Sequence, residues 1–125
     1  MSVLLDTCIY LWILEGSGRL TEEVRHYLDQ AFPRYVSAIS FAEIEFKRSI
    51  GNLTLPDTFR AQLEDTGLTH LEYVKEDSAA LSALPFHHKD PFDRMLISQA
   101  MARNLPIVTA DPVFKEYPVT VKLAA

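Results

Sequence analysis

Short apolar runs alternate with helix-forming segments along this chain, and an acid stands where several of the runs end. Asp6 closes Val-Leu-Leu (3–5), Glu43 follows Tyr-Val-Ser-Ala-Ile-Ser (35–40), and Asp111 follows Ile-Val-Thr-Ala (107–110). A fourth acid, Asp93, lies in His-Lys-Asp-Pro-Phe-Asp-Arg (88–94). Strands alternating with helices predict a parallel sheet covered on both faces. In such sheets functional groups gather just beyond the carboxyl ends of the strands. The four acids are therefore expected to converge on one edge. Carboxylates crowded together repel unless a cation offsets them, and a cluster of this kind suits hard divalent metals and phosphodiester chemistry.

The elements follow from local signals. Ser2–Leu5 reads as a buried strand and Thr7–Leu14 as a helix stopped by Glu-Gly-Ser-Gly (15–18). Thr21 with Glu22 and Glu23 opens a helix to about Gln30, and Arg34–Ala38 is a second strand. Ser40-Phe-Ala-Glu43 matches a capping box, which predicts a helix from Ser40 to about Ile50. A helix is expected from Leu55 through Asp65, a strand over Thr69–Val74 and a short helix over Glu76–Leu84. Asp90-Pro91 opens the most regular helix. Strands at 106–109 and Val119–Leu123 flank one more helical turn at Asp111-Pro112.

A chain of 125 residues fits a single compact domain, and no repeat or linker divides it. With 48% hydrophobic and 23% charged residues the balance is that of a folded protein. The net charge of −5 excludes nucleic-acid binding by bulk charge, so any such substrate must be gripped locally by metal ions and a few basic side chains. A single cysteine, Cys8, excludes an intrachain disulfide and reads as a small core residue. The apolar stretch Val3–Leu14 is interrupted by Asp6, has no preceding positive residue and is too short to span a bilayer. It is expected to be mature structure in a reducing cytoplasm, with no membrane association.

Each acid also has a helix-capping explanation. Asp90 before Pro91 is a good N-cap, Asp93 then falls where an acid favours the helix dipole, and Asp111-Pro112 repeats the pattern. Capping does not explain why Asp6 ends a buried strand beside Thr7, which could cap unaided. The pair His87-His88 reads as a solvated loop, since adjacent histidines rarely chelate one ion. No phosphate-binding glycine loop or nucleophile elbow is present.

At these residues the chain resembles the PIN-domain ribonucleases, and within them the VapC-type toxins of bacterial toxin–antitoxin pairs. The resemblance is carried by Leu-Leu-Asp-Thr (4–7), Val-Ser-Ala-Ile-Ser-Phe-Ala-Glu-Ile (36–44), His-Lys-Asp-Pro-Phe-Asp-Arg-Met-Leu-Ile-Ser-Gln-Ala (88–100) and Ile-Val-Thr-Ala-Asp (107–111). It covers essentially the whole chain, so residues 1–125 are expected to form one PIN-like nuclease domain: an α/β fold with a central parallel sheet flanked by helices. The resemblance implies a Mg²⁺- or Mn²⁺-dependent endoribonuclease in which Asp6, Glu43, Asp93 and Asp111 form the catalytic, metal-holding quartet. Thr7 and Thr109 look like supporting hydroxyls, and Asp90 matches a further acid of the motif, with a helix cap as its first role. It also implies a cognate antitoxin.

The expected chemistry is hydrolysis of an RNA phosphodiester without a covalent nucleophile. Lys47, one turn beyond Glu43, and Arg94, beside Asp93, are candidates for phosphate contact. One alternative is a phosphatase-like enzyme with Asp6 as nucleophile, but that chemistry wants a second acid where Cys8 stands. The other is a catalytically silent PIN-like protein-binding module. Tyr10, Leu11, Trp12 and Leu14 crowd one helix with more apolar bulk than a single inward stripe requires. With Phe46 they predict a surface for a partner or a second copy of the chain, as in a homodimer.

Overall fold

Five short strands make one wholly parallel sheet in the order β3-β2-β1-β4-β5: β1 Val3–Leu5, β2 Arg34–Ser37, β3 Thr69–Leu71, β4 Ile107–Thr109 and β5 Val121–Leu123. The computed structural model describes residues 1–124. From β1 the chain winds first outward through β2 to β3. It then returns to the other side of β1 for β4 and β5. The winding direction therefore reverses at the β1/β4 junction, the place where parallel sheets open a crevice at their carboxyl ends.

The period-2 alternation of the strands sorts side chains between two layers. Val3 and Leu5 of β1, Val36 of β2 and Val108 of β4 face one layer. There they meet Ile9 and Tyr10 of α1 (Thr7–Glu15), Val24 and Leu28 of α2 (Glu22–Gln30) and Ile44 of α3 (Ala38–Ser49). Leu4 and Ile107 face the opposite layer with Leu96, Ile97 and Ala100 of α5 (Pro91–Arg103). Burial of β1 on both faces explains why Val-Leu-Leu has no polar interruption before Asp6. Among the described residues no helix is long and apolar enough to cross a membrane.

Four local expectations are corrected. The N-cap of α3 is Ser37, whose Oγ accepts from the Ile39 amide at 3.0 Å, so the helix starts earlier and no Ser40–Glu43 capping box exists. Glu43, in the second turn, has no backbone to cap. The stretch 55–65 is a 3₁₀ turn, Asp57–Arg60, followed by the single-turn α4, Gln62–Asp65; neither has a side-chain cap, and short uncapped helices are marginal.

In place of a helix over Glu76–Leu84 stand two 3₁₀ turns, Lys75–Ser78 and Leu81–Ala83. The Asp77 carbonyl accepts from Ser98 Oγ at 2.6 Å, so the acceptor that would extend the first turn is occupied by α5. For a related reason β3 ends at Leu71: the Glu72 carbonyl leaves the sheet to accept from Gln99 Nε2 at 2.9 Å.

Candidate active site

At the β1/β4 junction Asp6, Glu43, Asp90, Asp93 and Asp111 line one pocket of about 480 Å³, together with Thr7, Cys8, Leu11, Trp12, Glu15, Arg19, Lys47 and Ala110. Four parts of the fold place the five acids. Asp6 directly follows β1 and caps α1, its Oδ1 accepting from the Ile9 amide at 2.9 Å. Asp111 stands just past β4 and caps the 3₁₀ turn Pro112–Glu116 by accepting from the Val113 amide at 3.0 Å. Asp90 caps α5 through the Phe92 amide at 2.8 Å and the Asp93 amide at 3.4 Å, which turns Asp93 into the first turn over the same edge. Capping and clustering are thus compatible: at Asp6 and Asp111 one oxygen caps the backbone while the other meets a side chain of the cluster, Thr109 and His88 respectively.

Two hydroxyls tie this cluster together. Thr109 Oγ1 donates to Asp6 Oδ2 and accepts from the Asp111 amide at 3.0 Å, linking the ends of β1 and β4. Thr7 Oγ1 donates to Ser40 Oγ at 2.9 Å, fastening the start of α1 to α3. The Ser40 hydroxyl is therefore committed inside the core, 0% exposed, rather than at a helix end.

The electrostatics of the pocket are strained. Asp6 is pushed up from 3.8 to about 6, chiefly by burial, against the opposing bonds from Thr109 and Ile9 and with added repulsion from Glu43 and Asp111. Asp93 rises from 3.8 to about 8, again through burial first and then through the charges of Asp90, Glu43, Asp6 and Asp111. Glu43 is buried; its Oε2 accepts from Lys47 Nζ at 2.6 Å, and its Oε1 has no hydrogen-bond partner. Among the described residues only two cationic side chains, Lys47 and Arg19, line a pocket that also holds Glu15.

Three residues stand differently from expectation. Arg94 is not a phosphate contact. It is buried and points away from solvent, donating to the carbonyls of Leu81, Leu84, Pro85 and His88, with Phe86 stacked 4.1 Å from its guanidinium carbon. It secures the loop that leads into α5. Cys8 is not a core residue but is exposed at the pocket, because Ile9 and Tyr10 occupy the inward face of α1. Partial desolvation by the pocket wall, followed by the Asp6 charge, pushes its thiol up to about 11, so it is protonated and a poor nucleophile near neutrality.

His88 is the third. Its Nε2 lies 2.9 Å from Asp111 Oδ2, in hydrogen-bonding geometry, and 2.9 Å from Asp93 Oδ2. The sequence reading missed it by asking whether both histidines could bind one ion. Only His88 turns inward, while His87 stays exposed against Tyr117. The available signal was its position two residues before the Asp90 cap, which points its ring back at the first turn of α5.

A doubly covered parallel sheet with buried, weakly compensated acids at its switch point defines an α/β protein of the acid-cluster nuclease type. The PIN domain matches residues 3–119, and the chain belongs to that nuclease family. Among solved structures it is similar to VapBC2 from Rickettsia felis bound to a DNA fragment of its promoter, at 16% identity and a TM-score of 0.75 over 100% of both chains. FitAcB from Neisseria gonorrhoeae is 20% identical with a TM-score of 0.66 over 95% of each chain. VapBC-5 from Mycobacterium tuberculosis, a member of the VapBC family of toxin–antitoxin systems, is 17% identical with a TM-score of 0.60, covering 98% of this chain and 96% of that one. At these identities the likeness is one of fold. No curated protein sequence gives a significant match.

Proposed function

We propose that this protein is a Mg²⁺- or Mn²⁺-dependent endoribonuclease of one domain, residues 1–125, acting in the cytoplasm as the toxin of a toxin–antitoxin pair. The observation that carries this reading is the state of Glu43: a buried carboxylate whose Oε1 lacks any partner, set among Asp6 and Asp93, both pushed towards neutrality. An unpartnered buried carboxylate oxygen is costly, and a hard divalent cation is the ligand that would satisfy it. The donor set, all carboxylate oxygen, fits Mg²⁺ or Mn²⁺ better than softer metals.

Asp6, Glu43, Asp93 and Asp111 would hold the ion. When bound, it lowers the pKa of water and offsets charge building on the scissile phosphate. The chain's own residues do the rest. Thr109 keeps Asp6 Oδ2 aimed by donating to it, and Asp90 fixes the N-terminus of α5 so that Asp93 leans into the pocket. Glu43 Oε1, free of other bonds, is available to orient an attacking water. Lys47 on α3 and Arg19 in the turn after α1 are the cations of the pocket lining available to the RNA phosphates, consistent with local rather than bulk attraction.

The antitoxin and a homodimer are part of the same reading, supported by the toxin–antitoxin character of the structural relatives and by the apolar surface around the site. Tyr10 is fully buried and is withdrawn from the expected partner surface. Leu11, Trp12 and Leu14 are half-buried, and Phe46 is 52% exposed beside Phe92, with ring centroids 5.8 Å apart.

The test is cleavage of RNA by purified protein with Mg²⁺ or Mn²⁺, beside Asp6→Asn. Metal-dependent cleavage lowered about 10²-fold or more in the variant is expected. Absence of both cleavage and a Mn²⁺-induced thermal shift in the unaltered protein would remove the reading.

A further inference from the structure

The imidazole of His88 is held on every side. Its Nδ1 accepts the Asp90 amide at 3.1 Å, and its ring stands edge-on to Phe114 with centroids 5.7 Å apart. An Nδ1 that accepts a backbone N–H carries a lone pair, so the proton of the ring resides on Nε2. Nε2 is the atom that lies 2.9 Å from both Asp93 Oδ2 and Asp111 Oδ2. A protonated Nε2 cannot ligate a metal, but it can donate to carboxylates. The three groups come from the loop before α5, the first turn of α5 and the end of β4. His88 does not itself line the pocket.

We propose that His88 is a positioning residue: its Nε2–H, directed by the Asp90 amide on Nδ1, donates to Asp111 while Asp93 Oδ2 lies equally near the same nitrogen, and this holds the two carboxylates together at the pocket wall. This rests on the metal-dependent reading of the site given above. Two acids on separate elements would otherwise repel each other, and a donor between them sets their spacing before any cation arrives. The imidazole is not needed to hold the loop. The His88 backbone N–H donates to Tyr117 Oη at 2.8 Å and its carbonyl accepts from Arg94 at 3.3 Å, whatever the side chain. Asp90 thereby acquires a second function. Its side chain caps α5, and its amide fixes the tautomer of His88.

Two measurements decide the matter. The first is ¹⁵N NMR of the imidazole in metal-free protein, where an unprotonated Nδ1 and a protonated Nε2 are expected; the opposite tautomer would overturn the proposal. The second is Mn²⁺ titration, followed by the paramagnetic signal of the free ion, of the unaltered protein, His88→Ala and His88→Gln. About 10-fold or more weaker binding is expected for His88→Ala. Recovery of most of that loss is expected for His88→Gln, whose amide nitrogen reaches the place of Nε2. Equal Mn²⁺ affinity in the Ala variant, or a loss that tracks only a fall in melting temperature, would make His88 a structural residue and defeat the proposal. Unaltered protein that takes up no Mn²⁺ would defeat the nuclease reading instead, leaving the clamp to be decided by the tautomer.

Discussion

Two carboxylates shielded from solvent, one packed against α5 and one in its first turn, reach opposite electrostatic states. Asp77, at the far end of α5 from the pocket, is 1% exposed, yet its carboxyl lies below the ordinary range. Burial pushes it up, but Arg103 donates from Nε at 2.8 Å and Nη2 at 3.0 Å, the Val74 amide adds 2.9 Å and Gln99 adds 3.2 Å, and together they prevail. Asp93, in the first turn of the same helix, is more exposed than Asp77 but has four like charges for neighbours and is pushed up to about 8. Burial alone does not mark a functional acid. What separates the two is whether the protein supplies the positive charge: at Asp77 Arg103 does, and at Asp93 the charges that act on the carboxyl are those of other acids.

Paired substitutions should break this comparison or confirm it. Asp93→Asn is expected to lower metal-dependent cleavage about 10²-fold or more and, by removing a repelled charge, to raise the melting temperature of the metal-free protein. Asp77→Asn should do the reverse. Loss of its charge-assisted bonds is expected to cost about 2–3 kcal/mol in denaturant unfolding, with Mn²⁺ affinity unchanged. If Asp93→Asn destabilises the metal-free protein as Asp77→Asn does, the distinction between a satisfied and a waiting carboxylate fails.

Much of this arrangement was legible in the sequence because it depends on chain order. Apolar runs ending in acids at Asp6 and Asp111 follow from strands buried on both faces, and the parallel sheet puts those ends on one edge. Asp90-Pro91 announced its helix through local capping chemistry alone. Features that depend on distant partners were not legible. The Asp77 carbonyl taken by Ser98 and the His88 ring reaching Asp111 are contacts between distant parts of the chain, and the Arg94 guanidinium is spent on four carbonyls of the preceding loop whose path no local signal sets. Ser40 was misread for the same reason: its pattern fits a cap, but its hydroxyl is claimed by Thr7 from another element.

The comparison also carries a pH signature. Asp6 and Asp93 have folded values of about 6 and about 8, raised above the ordinary 3.8. A group raised on folding binds its proton more tightly in the native state, so its contribution is fully present below the unfolded value and is lost as pH climbs through the folded value. Metal-free protein is therefore expected to lose stability between about pH 4 and pH 8, the Asp6 share first and the Asp93 share later. Saturating Mn²⁺ should flatten the curve, because the ion favours the ionised carboxylates. Asp77 works in the opposite sense, losing stability only as pH falls through its lowered value. Melting temperatures across this range, with and without Mn²⁺, would expose a wrong assignment as a metal-free curve that stays level or rises.

The smallest expected effect lies at Lys47, among the described residues the one Lys or Arg bonded to an acid of the pocket. Its ammonium, raised in pKa by the bond to Glu43 and partly exposed, offsets a single oxygen of that carboxylate. It therefore plays weakly at Glu43 the part that Arg103 plays strongly at Asp77. Lys47 would compete with a divalent ion for Glu43 Oε2 while offering positive charge to an approaching phosphate. Replacing it by Met separates the two effects. Mn²⁺ binding is expected to tighten by about 2- to 5-fold, the scale of a partly exposed ion pair, while the KM for RNA rises and kcat changes less. Tighter metal binding with unchanged KM would assign Lys47 to charge balance alone. Weaker metal binding would mean that Lys47 holds Glu43 in place, and the pocket would then resemble the Asp77 network more closely than its charges suggest.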